Sequence, residues 1–571
     1  MSQRLTKEHE NTVIPTLCPS HQGNERFPHS FVGEDYGEGY SHKCKISLIA
    51  SDSFLIVYQK HKGKYMKVLL VNPARYLKDT YIFPPLHLLY IAQSIRRTGH
   101  EAEIVDIPYL INTQPEKFNL QDDSGIDYVL SKDFDILGIG SVVSSYSYCE
   151  RLVKKVRKKR DGLPIIIGGS LGLPVKELWE KHAPVDYICE SDGELVIEQF
   201  MKCYPHNKEA LRNIPGLHYL NEEGKYVGNK PELPMNLDYI PFLTYDEVDL
   251  EYYVENQRRW IKNVLCSGNY QFRQDERFLP LLMSRGCVYE CTFCFHFNRL
   301  HRKHSPQYIA DYIEFMMNRY GATSFQIMDD LILINKKWLH EVCDEIINRG
   351  IKVSFFSSGG KPNIVDKEIL EKMKVAGFRR ISYGIESGSQ TMLDIMRKKT
   401  KVQDNYKAVS LMKEVGMPCS VNIVFGMPGE TIKTMNETKN FLISLDLTSK
   451  EYYAALATPY PGSPLFQHVL DKGIVKDTRE YLFNLGGYAD YKYNLTDMPR
   501  QKFLNKVIDV AYRVDCAYYK KRKQYRTILS ITFEKYMKMI YHAIVPPDVR
   551  GRIKLKARLN DLIKGIFAEI K

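Results

Sequence analysis

Short apolar runs alternate with segments of helical periodicity in the first half of the chain. Between residues 66 and 204 the apolar runs are too short for helices, and the segments between them repeat apolar positions every three or four residues. The pattern predicts strands at Lys67–Val71, Glu101–Val105, Ile136–Ser141, Pro164–Ile167 and Val185–Cys189, and helices such as Leu86–Thr98, Tyr148–Arg160 and Glu194–Tyr204. Apolar strands separated by helices favour a parallel sheet covered on both faces, so a doubly wound, Rossmann-like domain is expected here.

A second alternating series runs from Leu281 to Ala457. It predicts strands at Leu281–Met283, Ser324–Met328, Val353–Phe356, Arg380–Tyr383, Ser420–Phe425 and Tyr453–Ala457, with helices such as Pro306–Tyr320, Lys336–Arg349 and Val402–Val415 between them. Eight such units would close a full barrel, so six predict a partial (β/α)6 TIM-like barrel whose site lies at the carboxyl ends of the strands.

The remaining segments complete an α/β architecture of five parts. Residues 1–65 show no sustained period and are expected to be disordered, or a non-native leader from a start codon set too far upstream. The Rossmann-like domain spans 66–204, and 205–277 is expected to be a linker with a small hairpin at GLHYLNEEGKYV. The barrel spans 278–475, and 476–571 is expected to be a helical, basic C-terminal region that Pro546 and Pro547 break in two.

Charge and hydropathy limit the classes of partner. The formal net charge is +12, but fifteen Lys and Arg against five Asp and Glu lie between Arg513 and Lys571. A basic tail on an otherwise nearly neutral chain makes nucleic acid an unlikely partner, although docking of the tail on an acidic partner stays open. No apolar stretch reaches the length of a membrane span and no secretory signal is visible, so the cytoplasm is the expected compartment.

The strongest chemical signal is a group of three cysteines. Nine of the twelve Cys are scattered, whereas Cys287, Cys291 and Cys294 fall together in SRGCVYECTFCFH. Thiolates are soft ligands that suit iron–sulfur clusters and zinc, and three of them leave one iron of a cubane open to a substrate or cofactor. The motif follows the first predicted barrel strand, on the face where such barrels carry their sites. A zinc site with His296 as fourth ligand stays as the alternative.

CVYECTFC resembles the C-x3-C-x2-C signature of the radical S-adenosylmethionine superfamily. The resemblance implies that Cys287, Cys291 and Cys294 hold a [4Fe–4S] cluster whose open iron binds the amino group and carboxylate of S-adenosylmethionine. One electron then yields methionine and a 5′-deoxyadenosyl radical. FQIMDDLIL, RRISYGIESGS and VFGMPGET look like the family's cofactor-binding segments. The implied S-adenosylmethionine-binding residues are Phe293, Asp330, Glu386, Gly426 and Pro428. For Asp330 a helix N-cap is an equal alternative. No catalytic residue is predicted beyond the cluster ligands.

Residues 66–204 resemble the cobalamin-binding domain that is fused to one branch of this superfamily. The matching pieces are MKVLLVNP, PPLHLLYIA, DILGIGS, IIIGGSLGLP and VDYICESDGE. They imply cobalamin contacts at Ser141, Ser144, Gly168, Gly169 and Ser170, although each could equally belong to a simple tight turn. The Asp-x-His-x-x-Gly signature, whose His binds cobalt, is absent, because the chain reads DIPYLI from Asp106. Within the radical branch this absence implies cobalamin held without a protein His on cobalt.

The two resemblances together imply a cobalamin-dependent radical methyltransferase. Its substrate would be an unactivated carbon or phosphorus of a small molecule, lipid or peptide, and its electron would come from a reductant such as flavodoxin or ferredoxin. A radical cyclase or rearrangement enzyme on the same scaffold is one alternative. A cobalamin- or redox-sensing binding protein without turnover is the other.

Overall fold

The structure is a computed structural model that describes residues 48–51, 54–57, 65–75, 82–190, 192–205, 207–265, 273, 275–485 and 493–544. These residues fall in two compact units, Met1–Lys60 and His61–Lys571. In the first unit, β1 (Leu48–Ser51) pairs antiparallel with β2 (Phe54–Val57). The other residues of this unit lie outside the described residues, and so do Pro546 and Pro547. A disordered or non-native leader therefore stays a prediction, as does the proline break.

A seven-stranded sheet forms the N-terminal domain of the second unit. Its strands are β3 (Lys67–Asn72), β4 (Glu101–Asp106), β5 (Ile136–Gly140), β6 (Ile165–Gly168), β7 (Tyr187–Cys189), β8 (Leu217–Leu220) and β9 (Tyr226–Gly228). The spatial order is β4-β3-β5-β6-β7-β8-β9, with β3 to β7 parallel and the last two antiparallel. The doubly wound prediction is confirmed. The predicted hairpin consists of β8 and β9, and it extends this sheet because β8 pairs with β7. The hairpin was expected within a linker, so this pairing was not predicted.

Helices cover both faces of this sheet. They are α1 (Leu86–Arg97), α2 (Ile107–Thr113), α3 (Ser124–Ser131), α4 (Tyr146–Lys159), α5 (Lys176–His182), α6 (Gly193–Cys203) and α7 (Lys208–Arg212). Successive side chains of β3 point to opposite faces, as in any strand. Val68 and Leu70 therefore pack in one core with α1 and α6, while Leu69 and Val71 pack in another with α2 to α5. The strand order reverses between β3 and β5, and ligands of such sheets bind at the carboxyl ends beside this point.

The barrel domain contains six parallel strands that follow one another in sequence order. The strands of this half are β10 (Phe278–Leu281), β11 (Ser284–Arg285), β12 (Arg302–Lys303), β13 (Ser324–Ile327), β14 (Ser354–Gly360), β15 (Phe378–Glu386), β16 (Cys419–Phe425) and β17 (Tyr452–Leu456). The sheet order is β10-β13-β14-β15-β16-β17, and β11 and β12 form a separate antiparallel pair. Within the described residues no pairing joins β10 to β17, so the predicted partial barrel is confirmed.

Nine helices of the described residues lie in or beside the barrel domain; bounds were predicted for three of them, and the structure matches those bounds to within one residue. They are α8 (Leu250–Trp260), α9 (Pro306–Tyr320), α10 (Lys336–Asn348), α11 (Lys367–Val375), α12 (Gln390–Ile395), α13 (Val402–Glu414), α14 (Ile432–Ser444), α15 (Pro464–Asp471) and α16 (Thr478–Phe483). The ends of α9 show why. Ser305 caps its first turn with Pro306 next to it, and Gly321 ends it in the left-handed conformation.

The C-terminal region is helical, as predicted, through α17 (Arg500–Lys521) and α18 (Tyr525–Ile544). The carboxylate of Asp515 accepts hydrogen bonds from the backbone N and the hydroxyl of Ser449, both at 2.6 Å, and so ties α17 to the loop before β17. Among the described residues, none of the helices combines the length and the apolar character needed to cross a bilayer.

Four charged residues, two buried and two partly buried, join the N-terminal domain to the barrel domain. Arg285 of β11 donates to both carboxylate oxygens of Glu194 in α6, at 2.6 and 3.1 Å. Arg302 of β12 lies 2.7 Å from Asp192, which is also 3.1 Å from Arg285. We call these four residues the interdomain ion cluster. Beside it, Tyr90 of α1 packs into the core of the barrel domain and faces the Arg285 guanidinium.

Candidate functional site

The cysteine loop begins directly after β11, and two carboxylates accept hydrogen bonds from the residues at its start. Gly286 has φ +86°, and a Cβ there would lie 2.1 Å from the carbonyl oxygen of Leu300, so only glycine fits. Asp330 accepts a hydrogen bond from the backbone N of Gly286 at 2.9 Å. Asp329 accepts from the backbone N of Met283 at 2.8 Å and from Ser284 at 2.5 Å. Asp330 is therefore a positioning group for the loop and not a helix N-cap, since Asn335 caps α10.

Backbone hydrogen bonds fix the loop on two further elements. The N of Cys294 donates to the carbonyl of Cys291 at 3.1 Å. Between them, Thr292 donates to Met396 at 3.0 Å and accepts from Leu465 at 2.8 Å. The cysteine loop is thus clamped between the end of α12 and the start of α15. Cys291 is buried, and Cys287 and Cys294 are partly exposed.

The Lys398 ammonium lies near the thiols of the loop, but the pKa values of the three thiols do not shift in the same direction. A hydrogen bond from the Cys294 thiol lowers the pKa of Cys291 to about 7, and the nearby Lys398 ammonium acts in the same direction. Burial raises the pKa of Cys287. In the described part of the chain no three His, Cys, Asp or Glu side chains converge closely enough for a single ion. Ligands of a cubane bind separate irons, and so need not converge on one point.

Two buried lysines flank the cysteine loop, and sequence reasoning missed both. Lys398 lies 2.7 Å from the Glu386 carboxylate, and both side chains are nearly buried. Burial disfavours the ammonium, but Glu386 and Cys291 outweigh it and raise the pKa of Lys398. Lys361 directly follows β14 and is buried, and its Nζ has no hydrogen-bond partner among the described residues. It lies 2.8 Å from the ring centroid of Tyr289, in the cysteine loop. Burial, with repulsion from Lys398, lowers its pKa to about 8.

Glu386 ends β15 in a conformation that few side chains adopt. Its φ is +62°, in the left-handed region, where a non-glycine residue carries about 1 kcal/mol of strain or more. Gly384 makes room for it, because a Cβ there would lie 2.5 Å from the Glu386 Oε1 and 2.9 Å from the Lys398 Nζ. Strained residues held by their surroundings occur often at functional sites, which agrees with the predicted role of Glu386.

The turn after β16 is closed by a buried acid. Glu430 accepts a hydrogen bond from the backbone N of Gly426, and burial raises the pKa of Glu430 to about 8. Pro428 lies between them and is partly exposed. Phe293, within the cysteine loop, is partly buried against an apolar core that includes Met396. The five predicted S-adenosylmethionine-binding residues thus lie in the cysteine loop, at the end of β15, or after β13 and β16, and their role stays a prediction.

The five predicted cobalamin contacts meet at the carboxyl ends of β5 and β6. Gly169 has φ +78°, and a Cβ there would lie 2.3 Å from the carbonyl oxygen of Ser141. Ser170 accepts from the backbone N of Val143 at 3.0 Å, and Ser144 is buried in the short turn that follows. Gly168 pairs with Gly140 across the two strands.

This edge has the character of a cradle for a flat ligand. The bare backbone at Gly169 lets two loops meet without side chains between them. Val142, beside Ser141, is half exposed, although it is apolar. A large, mostly apolar ring system could cover Val142 and lie against these small residues, so the residues present fit a corrin.

A cavity of about 420 Å³ opens beside the cysteine loop. It is lined by Cys294, His296, Phe297, Asn298, Arg299, Gly462, Ser463, Pro464, Phe466 and Gln467. The Nε2 atom of His296 is buried and has no hydrogen-bond partner in the part of the chain that the structure describes, and burial lowers the pKa of this imidazole. His296 is therefore a neutral ring beside the loop.

Comparisons with known proteins match both halves of the chain. Residues 76–201 match the B12 binding domain, and residues 281–442 match the radical SAM superfamily. An uncharacterized methyltransferase of Pyrococcus horikoshii is 26% identical over 72% of this chain and 85% of its own. The anaerobic magnesium-protoporphyrin IX monomethyl ester cyclase of Rubrivivax gelatinosus is 26% identical over 73% and 72%.

A solved structure shares the fold. The radical S-adenosylmethionine methyltransferase TsrM of Kitasatospora setae, solved with cobalamin and a [4Fe–4S] cluster, superposes with a TM-score of 0.57. The superposition covers 72% of this chain and 78% of that one, at 16% identity. The order of the two domains is therefore shared.

The donor sets agree with the cofactors that the two domains use, namely a [4Fe–4S] cluster, S-adenosylmethionine and cobalamin. Three thiols on one clamped loop suit a cluster with one open iron. The buried Lys361 ammonium would offset part of the negative charge of a thiolate-bound cluster and would also suit a carboxylate, whereas Lys398 is already paired with Glu386.

Proposed function

Because the chain joins a B12-binding domain to a radical S-adenosylmethionine domain, we propose that it is a cobalamin-dependent radical methyltransferase. It methylates an unactivated carbon or phosphorus of a small molecule, lipid or peptide. The observation that carries this function is the clamped cysteine loop with Lys361 and Lys398 buried beside it, in one compact unit with the glycine- and serine-lined edge of β5 and β6.

Each group of the site has a role in this proposal. Cys287, Cys291 and Cys294 hold the cluster, which together with S-adenosylmethionine and cobalamin supplies radical formation and methyl transfer. Lys361 is a buried ammonium that has no hydrogen-bond partner within the described ranges, and it binds the carboxylate of S-adenosylmethionine. Lys398 holds Glu386 in place as an acceptor for the hydroxyl or ammonium groups of the same molecule.

The remaining residues position the cysteine loop and enclose the cofactors. Asp330 keeps the cysteine loop at the barrel edge, and the turn at Gly426 and Pro428 brings bare backbone to the adenine. Phe293 shields the cluster from water, which helps to set its potential. Ser141, Ser144, Gly168, Gly169 and Ser170 form the cobalamin edge.

The proposal includes a reductant and a compartment. A one-electron donor such as flavodoxin or ferredoxin reduces the cluster. The cytoplasm is the proposed compartment. Eight cysteines whose side chains the structure describes are free thiols, as expected in a reducing environment.

The test is an anaerobic assay of the reconstituted full chain with methyl-deuterated S-adenosylmethionine, hydroxocobalamin, a strong reductant and a small-molecule extract of the native source. We expect 5′-deoxyadenosine, S-adenosylhomocysteine and an extract component that carries the deuterated methyl group. A triple Cys287→Ala, Cys291→Ala, Cys294→Ala variant should lose all three products. Cys343→Ser changes a buried thiol outside the loop, and it should keep them. Products that survive in the triple variant would contradict the assignment of the cluster.

A radical cyclase is the second candidate, because a relative with that name aligns over a similar share of the chain at the same identity. The same assay separates the two activities. A cyclase would form 5′-deoxyadenosine and an altered extract component without deuterium. A binding protein without turnover would form no 5′-deoxyadenosine above the triple variant.

A further inference from the structure

A row of large apolar side chains faces solvent on α18. We call it the apolar stripe, and its members are Tyr525, Leu529, Phe533, Tyr536 and Ile540, all of them exposed. Because an α-helix turns by about 100° per residue, all five lie within an arc of about 80°. Single exposed apolar residues are ordinary on a protein surface, whereas a contiguous row along one helix face marks an interaction surface.

The helix is held on the protein by other residues. The hydroxyl of Thr532 lies 3.1 Å from that of Tyr512 in α17, and Lys535 donates a hydrogen bond to Asp509 of α17 at 3.1 Å. The core of the barrel domain includes residues of α17 but no described residue of α18. The helix α18 is therefore an outer layer, and its position on α17 leaves the apolar stripe open.

The surroundings of the apolar stripe are basic. Five of the seven residues from Lys520 to Arg526 are Lys or Arg. Asp446 pairs with two of them, Lys521 and Arg522. The sequence of α18 holds a single acid, Glu534, which lies 2.5 Å from Lys538. Positive charges therefore outnumber negative ones beside the apolar stripe, which favours a partner of negative charge.

The sequence beyond α18 repeats this combination of apolar and basic residues. Apolar residues recur every three or four positions at Leu555, Leu559, Leu562, Ile566 and Ile570. Between them lie Lys556, Arg558 and Lys564. Two basic amphipathic patterns in series match an extended anionic surface better than they match the groove of one protein partner.

We infer that the apolar stripe docks on an anionic lipid bilayer, with α18 parallel to the membrane surface. Helices with one apolar face and a basic polar face bind in this way, with the apolar side chains at the boundary of headgroups and acyl chains. Tyr525 and Tyr536 suit this depth, because a tyrosine ring is apolar and its hydroxyl is polar. The basic residues lie against the lipid phosphates. The inference goes beyond the proposed function and does not depend on it.

The test is co-sedimentation of the full chain with lipid vesicles. Vesicles of phosphatidylcholine and phosphatidylglycerol in equal parts are compared with vesicles of phosphatidylcholine alone. We expect binding to the anionic vesicles that weakens as salt is added, and at least tenfold weaker binding to the neutral ones, on the order of what two basic residues contribute. The variant Lys523→Gln, Arg526→Gln should bind the anionic vesicles about 25-fold more weakly, since each basic residue near such a surface contributes about fivefold.

A second pair of variants tests the apolar stripe itself. Leu529→Gln, Tyr536→Gln should weaken binding to the anionic vesicles about tenfold, because less apolar area is buried. The matched control is Val375→Gln, Tyr406→Gln, which removes two exposed apolar side chains from α11 and α13 and should leave binding unchanged. Leu529 and Val375 are both 72% exposed, so the two pairs of changes disturb the fold to a similar, small extent.

Hydrogen exchange locates the contact without any variant. The amides of residues 525–540 should exchange more slowly when anionic vesicles are added, and protection confined to other segments would overturn the inference. Absence of binding to the anionic vesicles, or equal binding to both kinds of vesicle, would overturn it as well.

Two other occupants of the apolar stripe would also refute membrane docking. A dimer that forms without lipid and dissociates in Leu529→Gln, Tyr536→Gln would assign the stripe to a second copy of the chain. Binding of an acidic protein such as flavodoxin that this variant abolishes, with no binding to vesicles, would assign it to a protein partner. The proposed methyltransferase activity is measured by its products without vesicles, so it stands or falls separately.

Discussion

The interdomain ion cluster offers a quantitative test of how the two domains are held together. Changing Glu194 to Gln removes one negative charge and keeps the shape of the side chain. Only 7% of the Glu194 side chain and 14% of Arg285 are exposed, and Arg302 is 1% exposed. Arg285 and Arg302 would then share the single carboxylate of Asp192.

Breaking a buried ion pair by removal of one partner costs about 3–5 kcal/mol, because the remaining charge stays desolvated. Arg285 keeps Asp192 at 3.1 Å and the ring of Tyr90 at 5.3 Å, so the lower end applies. We expect Glu194→Gln to lower the free energy of unfolding by about 3 kcal/mol. Glu198→Gln is the matched control on the same helix. Its partner Arg97 is 45% exposed at 3.3 Å, which predicts a loss of at most about 1 kcal/mol.

The assay is urea unfolding of the cofactor-free chain, followed by fluorescence and circular dichroism. Trp179 reports on the N-terminal domain and Trp338 on the barrel domain, and both are buried. The double variant Glu194→Gln, Arg285→Gln leaves Asp192 and Arg302 as a balanced pair and should recover about 2 kcal/mol of the loss. The reasoning would be refuted if Glu194→Gln cost no more than Glu198→Gln. It would also fail if the double variant were less stable than Glu194→Gln.

Three further predictions follow from the barrel site. The pKa of Glu430 is raised to about 8, so the folded state holds its proton and wild-type stability falls as pH rises from about 4.5 to 8. The free energy of unfolding of Glu430→Gln relative to wild type, measured in urea, should therefore rise by about 4 kcal/mol between pH 5 and pH 8.5. A difference that does not change with pH would contradict this. Gly384→Ala places a Cβ on Glu386 and Lys398, and should raise the KM for S-adenosylmethionine about tenfold at unchanged iron content; an unchanged KM would count against the role of this ion pair. Lys361→Met removes a buried ammonium to which no described residue donates or accepts a hydrogen bond, so the apoprotein should melt at higher temperature while S-adenosylmethionine binds more weakly in calorimetry. Tighter binding would exclude Lys361 as a carboxylate ligand.

The local elements of this protein could be read from its sequence. Each predicted strand of the two alternating series overlaps an observed one, and α9 has the predicted bounds. The reason is that periodicity, caps and breakers act within a few residues of one another. The cysteine loop was equally visible, because its three possible ligands lie close together along the chain.

Contacts between distant segments were decided only by the tertiary structure. Lys361 and Lys398 follow different elements, and nothing near either one marks it as a neighbour of Cys291. His87 meets Gly140 only because α1 packs over the end of β5. Likewise the hairpin of β8 and β9 joins the N-terminal sheet through an edge that local periodicity does not encode.

The pairing of the buried charges likewise could not be predicted from the sequence. In the sequence Glu194 and Arg285 resemble any surface acid and base, and their pairing depends on which faces the two domains bury against each other. Because these groups are desolvated, the loss of one partner strongly lowers the stability of the protein. Desolvation also raises the pKa of Glu430. Local pattern therefore determined the elements and the cysteine loop, whereas packing alone determined which charges became buried and which residues met at the site.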